Sequence, residues 1–182
     1  YRIRPINALG GGAPNFQAVN ERPSAAPNVG GTLTVASFNV LNYFTTLVSE
    51  DANARGANDA TEYNRQHAKL IEALLKIDAD VYGFMEIENS ATGEPLQAIV
   101  DGLNAELGAG TYDFIDAGKI GTDAIAVAII YKTTTVSPEG AYAILDSSEH
   151  AIFDDTKNRP MLTQTFKEIA SNETFTVAVN HL

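Results

Sequence analysis

The sequence predicts an α/β protein with a mixed β-sheet, and two observations carry this prediction. An apolar strand, an amphipathic helix and a second apolar strand follow one another between residues 33 and 87. This order is typical of a βαβ unit, in which the two strands are parallel and the crossover is right-handed. Two apolar runs after residue 160, joined by a short polar segment, predict an antiparallel hairpin.

The composition limits what the chain can be. Its 182 residues, of which 45% are hydrophobic, suit one ordinary domain or part of a larger one and exclude wholesale disorder. The lack of cysteine excludes a disulfide scaffold, a thiolate zinc site and a cysteine nucleophile. No apolar run approaches the roughly 18 residues of a membrane span. A net charge of −11 argues against nucleic-acid binding by a generally basic surface, although a bound divalent cation or a local basic patch would still bring a polyanion close.

The first half of the chain contains the predicted βαβ unit. Residues 1–31 are rich in Gly, Pro and Asn and predict a linker or arm from a preceding domain. The first strand starts at Leu33 and is expected to end near Asn39, and the second strand covers residues 81–87 (VYGFMEI). Asp59 and Glu62 resemble a capping box that opens the helix between them. The apolar face of this helix is formed by Tyr63, His67, Leu70, Ile71 and Leu74.

The second half is predicted to contain one helix followed by short strands. The helix starts near Pro95, a favoured first helical residue, with an apolar stripe of Leu96, Ile99, Val100, Leu103 and Leu107. The strands are YDFID from Tyr112, IAVAIIYK from Ile125, AYAIL from Ala141, MLTQTFK from Met161 and ETFTVAVNHL from Glu173. A core-like strand so close to Leu182 and a start without Met lead us to expect a piece of a longer precursor, with the remainder of the same domain following Leu182.

Three apolar strands end in polar side chains that are candidates for chemistry. The first ends at Asn39, the second at Glu86 and Glu88, and the last at His181. In α/β sheets the carboxyl ends of strands form the ligand crevice. Carboxylate and amide oxygens are hard ligands that suit Mg²⁺, Mn²⁺ or Ca²⁺. The alternative is that each of these residues only caps its strand.

Glu86 shares the alternation of Tyr82 and Phe84, so we expect it to point to a buried face. A buried carboxylate needs a cation or several hydrogen-bond donors. His181 shares the alternation of Val179 and is either a core residue or a general acid or base near neutral pH.

Two further residues could act on an anionic substrate. Arg159 precedes the hairpin, and its planar guanidinium suits phosphate recognition, although a surface role is the usual one for arginine. Asp123 opens an apolar strand and is either a turn residue or a group that orients His181.

Six segments of the sequence, in this order, are similar to a known superfamily. They are ASFNVLNYFTT from Ala36, RGANDATEYNRQ from Arg55, DADVYGFMEIEN from Asp78, GTDAIAVAIIYK from Gly121, NRPMLTQTF from Asn158 and FTVAVNHL from Phe175. They resemble the endonuclease/exonuclease/phosphatase superfamily, and within it the secreted or surface-attached bacterial nucleases of the deoxyribonuclease I-like kind. The resemblance extends from about Leu33 to Leu182.

The resemblance implies a four-layered α/β sandwich, of which residues 32–182 form the N-terminal half. It implies hydrolysis of phosphodiester bonds in DNA, with RNA as an alternative, and dependence on Mg²⁺ or Mn²⁺, with Ca²⁺ as a further candidate. It also implies a location outside or on the surface of a bacterial cell.

The resemblance further implies roles for single residues. Glu86 matches the metal-binding Glu, with Glu88 and Asn89 in an extended motif of less defined role. Asn39 matches the Asn near metal and phosphate, and Arg159 the Arg that contacts phosphate. His181 matches the first catalytic His, and Asp123 the acid that orients a catalytic His.

The sequence departs from the superfamily in one respect. The later Gly-Asp-Phe-Asn-like and Ser-Asp-His-like motifs do not occur in it. We therefore expect the chain to supply only half of an active site and to be inactive alone. Two alternatives stay open: a phosphatase or phosphodiesterase acting on lipid or inositol phosphates, and a non-catalytic binding module of the same fold.

Overall fold

A computed structural model describes residues 23, 25, 27–150, 152–155 and 157–181. Most of the expected linker over residues 1–31 lies outside this range. The elements, in chain order, are β1 (Val35–Tyr43), α1 (Ala60–Ile77), β2 (Val81–Glu88), α2 (Glu94–Leu107), β3 (Tyr112–Phe114), β4 (Ile125–Lys132), β5 (Val136–Pro138), β6 (Ala143–Leu145), β7 (Arg159–Glu168) and β8 (Thr174–His181). The α/β class predicted from the sequence is confirmed.

The first sheet has the strand order β1-β2-β4-β3. β1 and β2 are parallel, as the βαβ pattern predicts, whereas β4 runs antiparallel to both β2 and β3. β1 continues to Tyr43 rather than ending near Asn39, because its pairing with β2 resumes after an irregularity.

The second sheet is built around β7. The predicted hairpin is confirmed: β8 pairs antiparallel with one edge of β7. β5 and β6 pair with successive parts of the other edge. β5 was not predicted, and β6 begins at Ala143 rather than Ala141.

Helices and sheets pack in layers. α1 and α2 cover one face of the first sheet, while β7 and β8 pack against its other face, opposite β4 and β2. On the helix side, the hydroxyl of Tyr82 donates to the carbonyl of Leu74 in α1 at 2.7 Å. On the other side, a Cβ at Gly83 would lie 2.7 Å from Cγ2 of Val179. The close approach of the two sheets at this point therefore requires glycine.

Local signals fix the ends of both helices. The Asp59 side chain accepts a hydrogen bond from the Glu62 N–H at 2.9 Å, which is the N-cap that the sequence predicts. Asp78, with φ of 52°, ends α1. α2 begins at Glu94, with Pro95 in its first turn. Neither α1 nor any other helix of the described residues combines the length and apolar character needed to cross a membrane.

Candidate active site

A β-bulge at Glu86 forms the centre of the site. In the pairing of β2 with β4, Met85 lies opposite Val127 and Ile87 opposite Ala126, so Glu86 is an extra residue. Its φ is 65°, in the left-handed region. Bulges re-aim a side chain and are frequent beside active sites.

The bulge turns the Glu86 side chain away from the direction that the alternation of β2 predicts. Strict alternation would place its side chain with Tyr82, on the helix side of the sheet. The extra residue reverses the alternation, so the carboxylate instead faces the second sheet, where its Oε1 lies 3.8 Å from Nε2 of His181. The Glu86 side chain is 20% exposed, so it is open to solvent rather than enclosed.

Hydrogen bonds from β1 hold the Glu86 carboxylate in place. Nδ2 of Asn39 donates to its Oε1 at 2.8 Å, and the backbone N–H of Asn42 donates to its Oε2 at 3.2 Å. The other end of the Asn39 amide, Oδ1, accepts from the Leu41 N–H at 2.8 Å. Leu41 and Asn42 have φ of 56° and 48°, so both strands are distorted where the carboxylate is bound.

His181 lies at the end of β8, beside this carboxylate. Its side chain is 21% exposed, and its Nδ1 is buried and makes no hydrogen bond to the residues that the structure describes. Asn39, Glu86 and His181, which the sequence nominated from three separate strands, therefore lie together. Their chemical roles remain predictions.

Asp123 is not bonded to His181, so the described contacts do not support the alternative in which it orients that histidine. Its Oδ2 lies 2.7 Å from Nη2 of Arg159, and its Oδ1 lies 2.9 Å from Nη1 of Arg55. The Asp123 carboxylate forms ion pairs with two guanidinium groups, and neither nitrogen of His181 is bonded to it. Partial burial raises the pKa of Asp123, but the hydrogen bond from the Ala124 N–H and the two arginine charges outweigh it, and the net pKa lies below the usual value.

A second bulge and a close loop contact bring Arg159 to Asp123. Arg159 pairs with His181, whereas Leu162 pairs with Val179, so β7 has one residue more than β8 here. The loop that carries Asp123 approaches the start of β7 at Gly121, where a Cβ would lie 2.8 Å from Cγ of Pro160. The Arg159 side chain is only 22% exposed, so it is not an ordinary surface arginine.

Sequence reasoning did not single out Arg55 as a site residue. Its segment belongs to the six that resemble the superfamily, but nothing local in the pattern marks its guanidinium as a partner of Asp123. Arg55 reaches Asp123 because the loop between β1 and α1 folds over the loop before β4.

Glu88 and Asn89 hold the two loops that flank the site. Oε2 of Glu88 accepts from the Thr45 N–H at 2.8 Å and from the Thr46 N–H at 3.2 Å. Nδ2 of Asn89 donates to the carbonyls of Ile120 and Asp123 at 2.7 and 2.8 Å. Glu88, considered from the sequence as a second metal ligand, is thus engaged in anchoring the loop after β1.

The donor set fits a magnesium-type ion with one protein carboxylate. Within the part of the chain that the structure describes, no group of three or more His, Asp or Glu side chains could hold a metal. Mg²⁺ commonly binds through one or two carboxylates while keeping several waters and taking up substrate phosphates. Glu86, partly exposed and held by Asn39, meets that requirement, whereas an ion that needs an all-protein cage would not be satisfied.

Comparison with known proteins identifies the fold. No protein-family model matches the sequence, and no curated protein matches it significantly. Among solved structures, an endonuclease/exonuclease/phosphatase from Bacteroides vulgatus is similar at 15% identity and a TM-score of 0.55, with 81% of this chain covering 51% of that one. A mannosyl-6-phosphatase from Bacteroides thetaiotaomicron is similar at 19% identity and a TM-score of 0.51, with coverage of 82% and 51%.

A third solved structure, ANGEL2, described as a 2′,3′-cyclic phosphatase, is similar at 16% identity and a TM-score of 0.54, with coverage of 82% and 40%. The chain thus spans about half the length of the solved structures it matches, or less. These similarities, at low identity, concern architecture rather than activity. The described part of this chain has the fold of the endonuclease/exonuclease/phosphatase, or deoxyribonuclease I-like, proteins.

Proposed function

We propose that this chain provides the Glu86 side of a phosphoesterase active site, and that the whole protein hydrolyses phosphodiester bonds in nucleic acid. The observation that carries the proposal is the meeting of Asn39 of β1, Glu86 of β2 and His181 of β8, with Glu86 held by donors from β1. Because the chain spans about half of the matched structures, the activity is proposed for the whole protein.

Each residue would contribute a separate part of the chemistry. Bound at Glu86, Mg²⁺ or Mn²⁺ would supply positive charge to offset the charge that develops on the phosphoryl oxygens. Asn39 is a positioning residue, since its amide fixes the direction of the Glu86 carboxylate. His181 would exchange a proton with the attacking water or the leaving oxygen, the usual role of histidine in general acid–base catalysis.

Arg159 would contact the phosphate from the second sheet. Its guanidinium shares Asp123 with Arg55, so one acidic side chain holds two cations beside the Glu86 crevice. Guanidinium groups pair well with phosphate oxygens. This local charge, together with a bound divalent ion, would let a chain of net charge −11 approach a polyanion.

Plasmid cleavage by the whole protein tests the proposal. Supercoiled DNA is incubated with Mg²⁺ or Mn²⁺, and EDTA is added as the metal-free control. Glu86→Gln is expected to abolish the metal-dependent cleavage, and His181→Gln to reduce it by about 100-fold or more. Glu72→Gln, at an exposed ion pair on α1, is the matched control and should cleave as the wild type does. Full activity of Glu86→Gln would refute the assignment.

A phosphatase acting on small phosphoesters is the second candidate. It is favoured by the fold neighbours, since two of the similar structures are described as phosphatases. Hydrolysis of a phosphomonoester, without cleavage of DNA or RNA, would establish it in place of the nuclease. We also propose a location outside or on the surface of a bacterial cell, which fractionation of the source cells would test.

A further inference from the structure

A groove of about 470 Å³ lies beside α1, and one of its lining residues, Asn42, contacts Glu86. Its floor is the distorted end of β1 at Leu41 and Asn42, and Gln66 of α1 donates to the Leu41 carbonyl at 2.9 Å. Its walls carry three basic side chains: Arg55 from the loop before α1, and Arg65 and Lys69 from α1. We call it the cationic groove.

The charge of the cationic groove opposes that of the chain as a whole. Three of the twelve Lys and Arg residues of a chain with net charge −11 line it. Its one acidic side chain, Glu62, accepts hydrogen bonds from both the backbone and the side chain of Asn58, which lower the pKa of Glu62.

Two of the three cations are available to a ligand. Arg65 and Lys69 are exposed, and neither lies within salt-bridge distance of a carboxylate in the described ranges, although the charge of Arg65 contributes to the lowered pKa of Glu62. They lie four residues apart, about 6 Å along the helix axis. This separation is comparable to that of successive phosphates in a nucleic-acid strand.

The cationic groove is continuous with the candidate active site through two contacts. Asn42, in the floor, donates its N–H to Oε2 of Glu86. Arg55, at the rim, binds Asp123, which in turn binds Arg159. A strand that follows Arg65 and Lys69 past Asn42 would therefore come next to Glu86.

We propose that the cationic groove binds the sugar-phosphate backbone of a nucleic-acid strand next to the bond that is cleaved at Glu86. The inference rests on the proposed function and adds to it the surface that holds the strand beside the cleaved bond. A small phosphoester would occupy the Glu86 crevice alone and would not reach the side chains on α1. A strand of several nucleotides would contact both, with Arg65 and Lys69 each neutralising a backbone phosphate.

Equilibrium binding to the whole protein tests the inference without requiring catalysis. Fluorescence anisotropy with labelled DNA and RNA 12-mers is recorded in EDTA, over a range of salt concentrations. The double variant R65Q/K69Q is expected to lower affinity by about 10-fold and to reduce the slope of log K against log salt by about 1.5 to 2. R65K/K69R, which keeps both charges, should restore most of the affinity.

Lys76→Gln is the matched control, because Lys76 is also on α1 but pairs with Glu72 at 2.6 Å, away from the groove. It should bind as the wild type does. Equal affinity of R65Q/K69Q and the wild type would overturn the inference, as would an equal loss in Lys76→Gln. The whole protein could bind nucleic-acid strands through these residues and yet cleave no strand. That result would support the inference about the groove and refute the proposed hydrolysis. Comparison of the two 12-mers identifies which nucleic acid is preferred.

Discussion

The side-chain amide of Asn39 joins the Glu86 carboxylate to the backbone of β1. Its Nδ2 donates to Oε1 of Glu86 at 2.8 Å, and its Oδ1 accepts from the Leu41 N–H at 2.8 Å. One amide therefore links the bulge in β2 to the distorted stretch of β1. The geometry of the carboxylate and the conformation of that stretch depend on each other.

Asn39→Asp should break this link and place two carboxylates side by side. The free energy of unfolding is expected to fall by about 1–3 kcal/mol at pH 7, because a donor is lost and like charges meet. The deficit should shrink as pH falls toward 5, since protonation of one carboxylate relieves the repulsion. Urea unfolding measures both effects. Asn64→Asp, on the exposed surface of α1, should change little, and an equal loss there would contradict the interpretation.

Leu41→Gly should be neutral or stabilise the protein by up to about 1 kcal/mol, because glycine adopts positive φ without steric cost. Leu41 has φ of 56° and is 73% exposed, so little apolar burial is lost. Val35→Gly is the comparison, since Val35 is also exposed in β1 but has no positive φ. It should lower the free energy of unfolding. Thermal denaturation of the two variants would contradict the account if Leu41→Gly lost as much stability as Val35→Gly.

Gly83→Ala should push the two sheets apart at their closest point. The new methyl group would lie 2.7 Å from Cγ2 of Val179, and the expected loss is about 1–3 kcal/mol. Adding Val179→Ala should recover part of that loss, because the second substitution removes the clashing atoms. A double-mutant cycle by urea unfolding measures this coupling. Strict additivity of the two losses would mean that the sheets do not meet through this pair.

The cluster of Tyr43, Tyr63 and His67 should make stability depend on pH. The buried hydroxyl of Tyr43 lies 2.7 Å from Nδ1 of His67 and 2.8 Å from the Tyr63 hydroxyl. Burial lowers the pKa of His67 below its usual value. The unfolded chain therefore takes up a proton at higher pH than the folded one.

The contribution of His67 to stability is thus present above its unfolded pKa of about 6.5 and is lost as pH falls through the lower folded value. The free energy of unfolding should decline between pH 7 and pH 5, and His67→Gln should flatten that decline. His150→Gln, in an exposed loop, is the control. An unchanged pH slope in His67→Gln would show that other groups cause the decline.

The strands and helices were predictable because their signals are local. The apolar runs around Val81 and Ile125 and the cap at Asp59 need only neighbouring residues to be recognised. β5, at Val136–Pro138, was missed because three residues that include a proline give no alternating pattern.

The direction of Glu86 and the partners of Asp123 could not be predicted in the same way. The bulge at Glu86 exists only through its pairing with β1 and β4, so the alternation within β2 alone predicted the wrong face. Asp123 binds Arg55 and Arg159, which lie far from it and from each other in the sequence. Such contacts depend on how the loops fold over one another. Asn39, Glu86 and His181 could be singled out because each lies at or near the end of a strand as the sequence predicts it, although β1 in fact continues past Asn39.

The anchoring contacts of Glu88 and Asn89 have a consequence for affinity. These consecutive residues at the end of β2 hold opposite sides of the crevice, through Thr45 and through the carbonyls of Ile120 and Asp123. Both walls are thus attached to one central strand and are preorganised. A molecule that enters between them loses its own freedom but does not have to order the walls, so more of each contact appears as net binding strength.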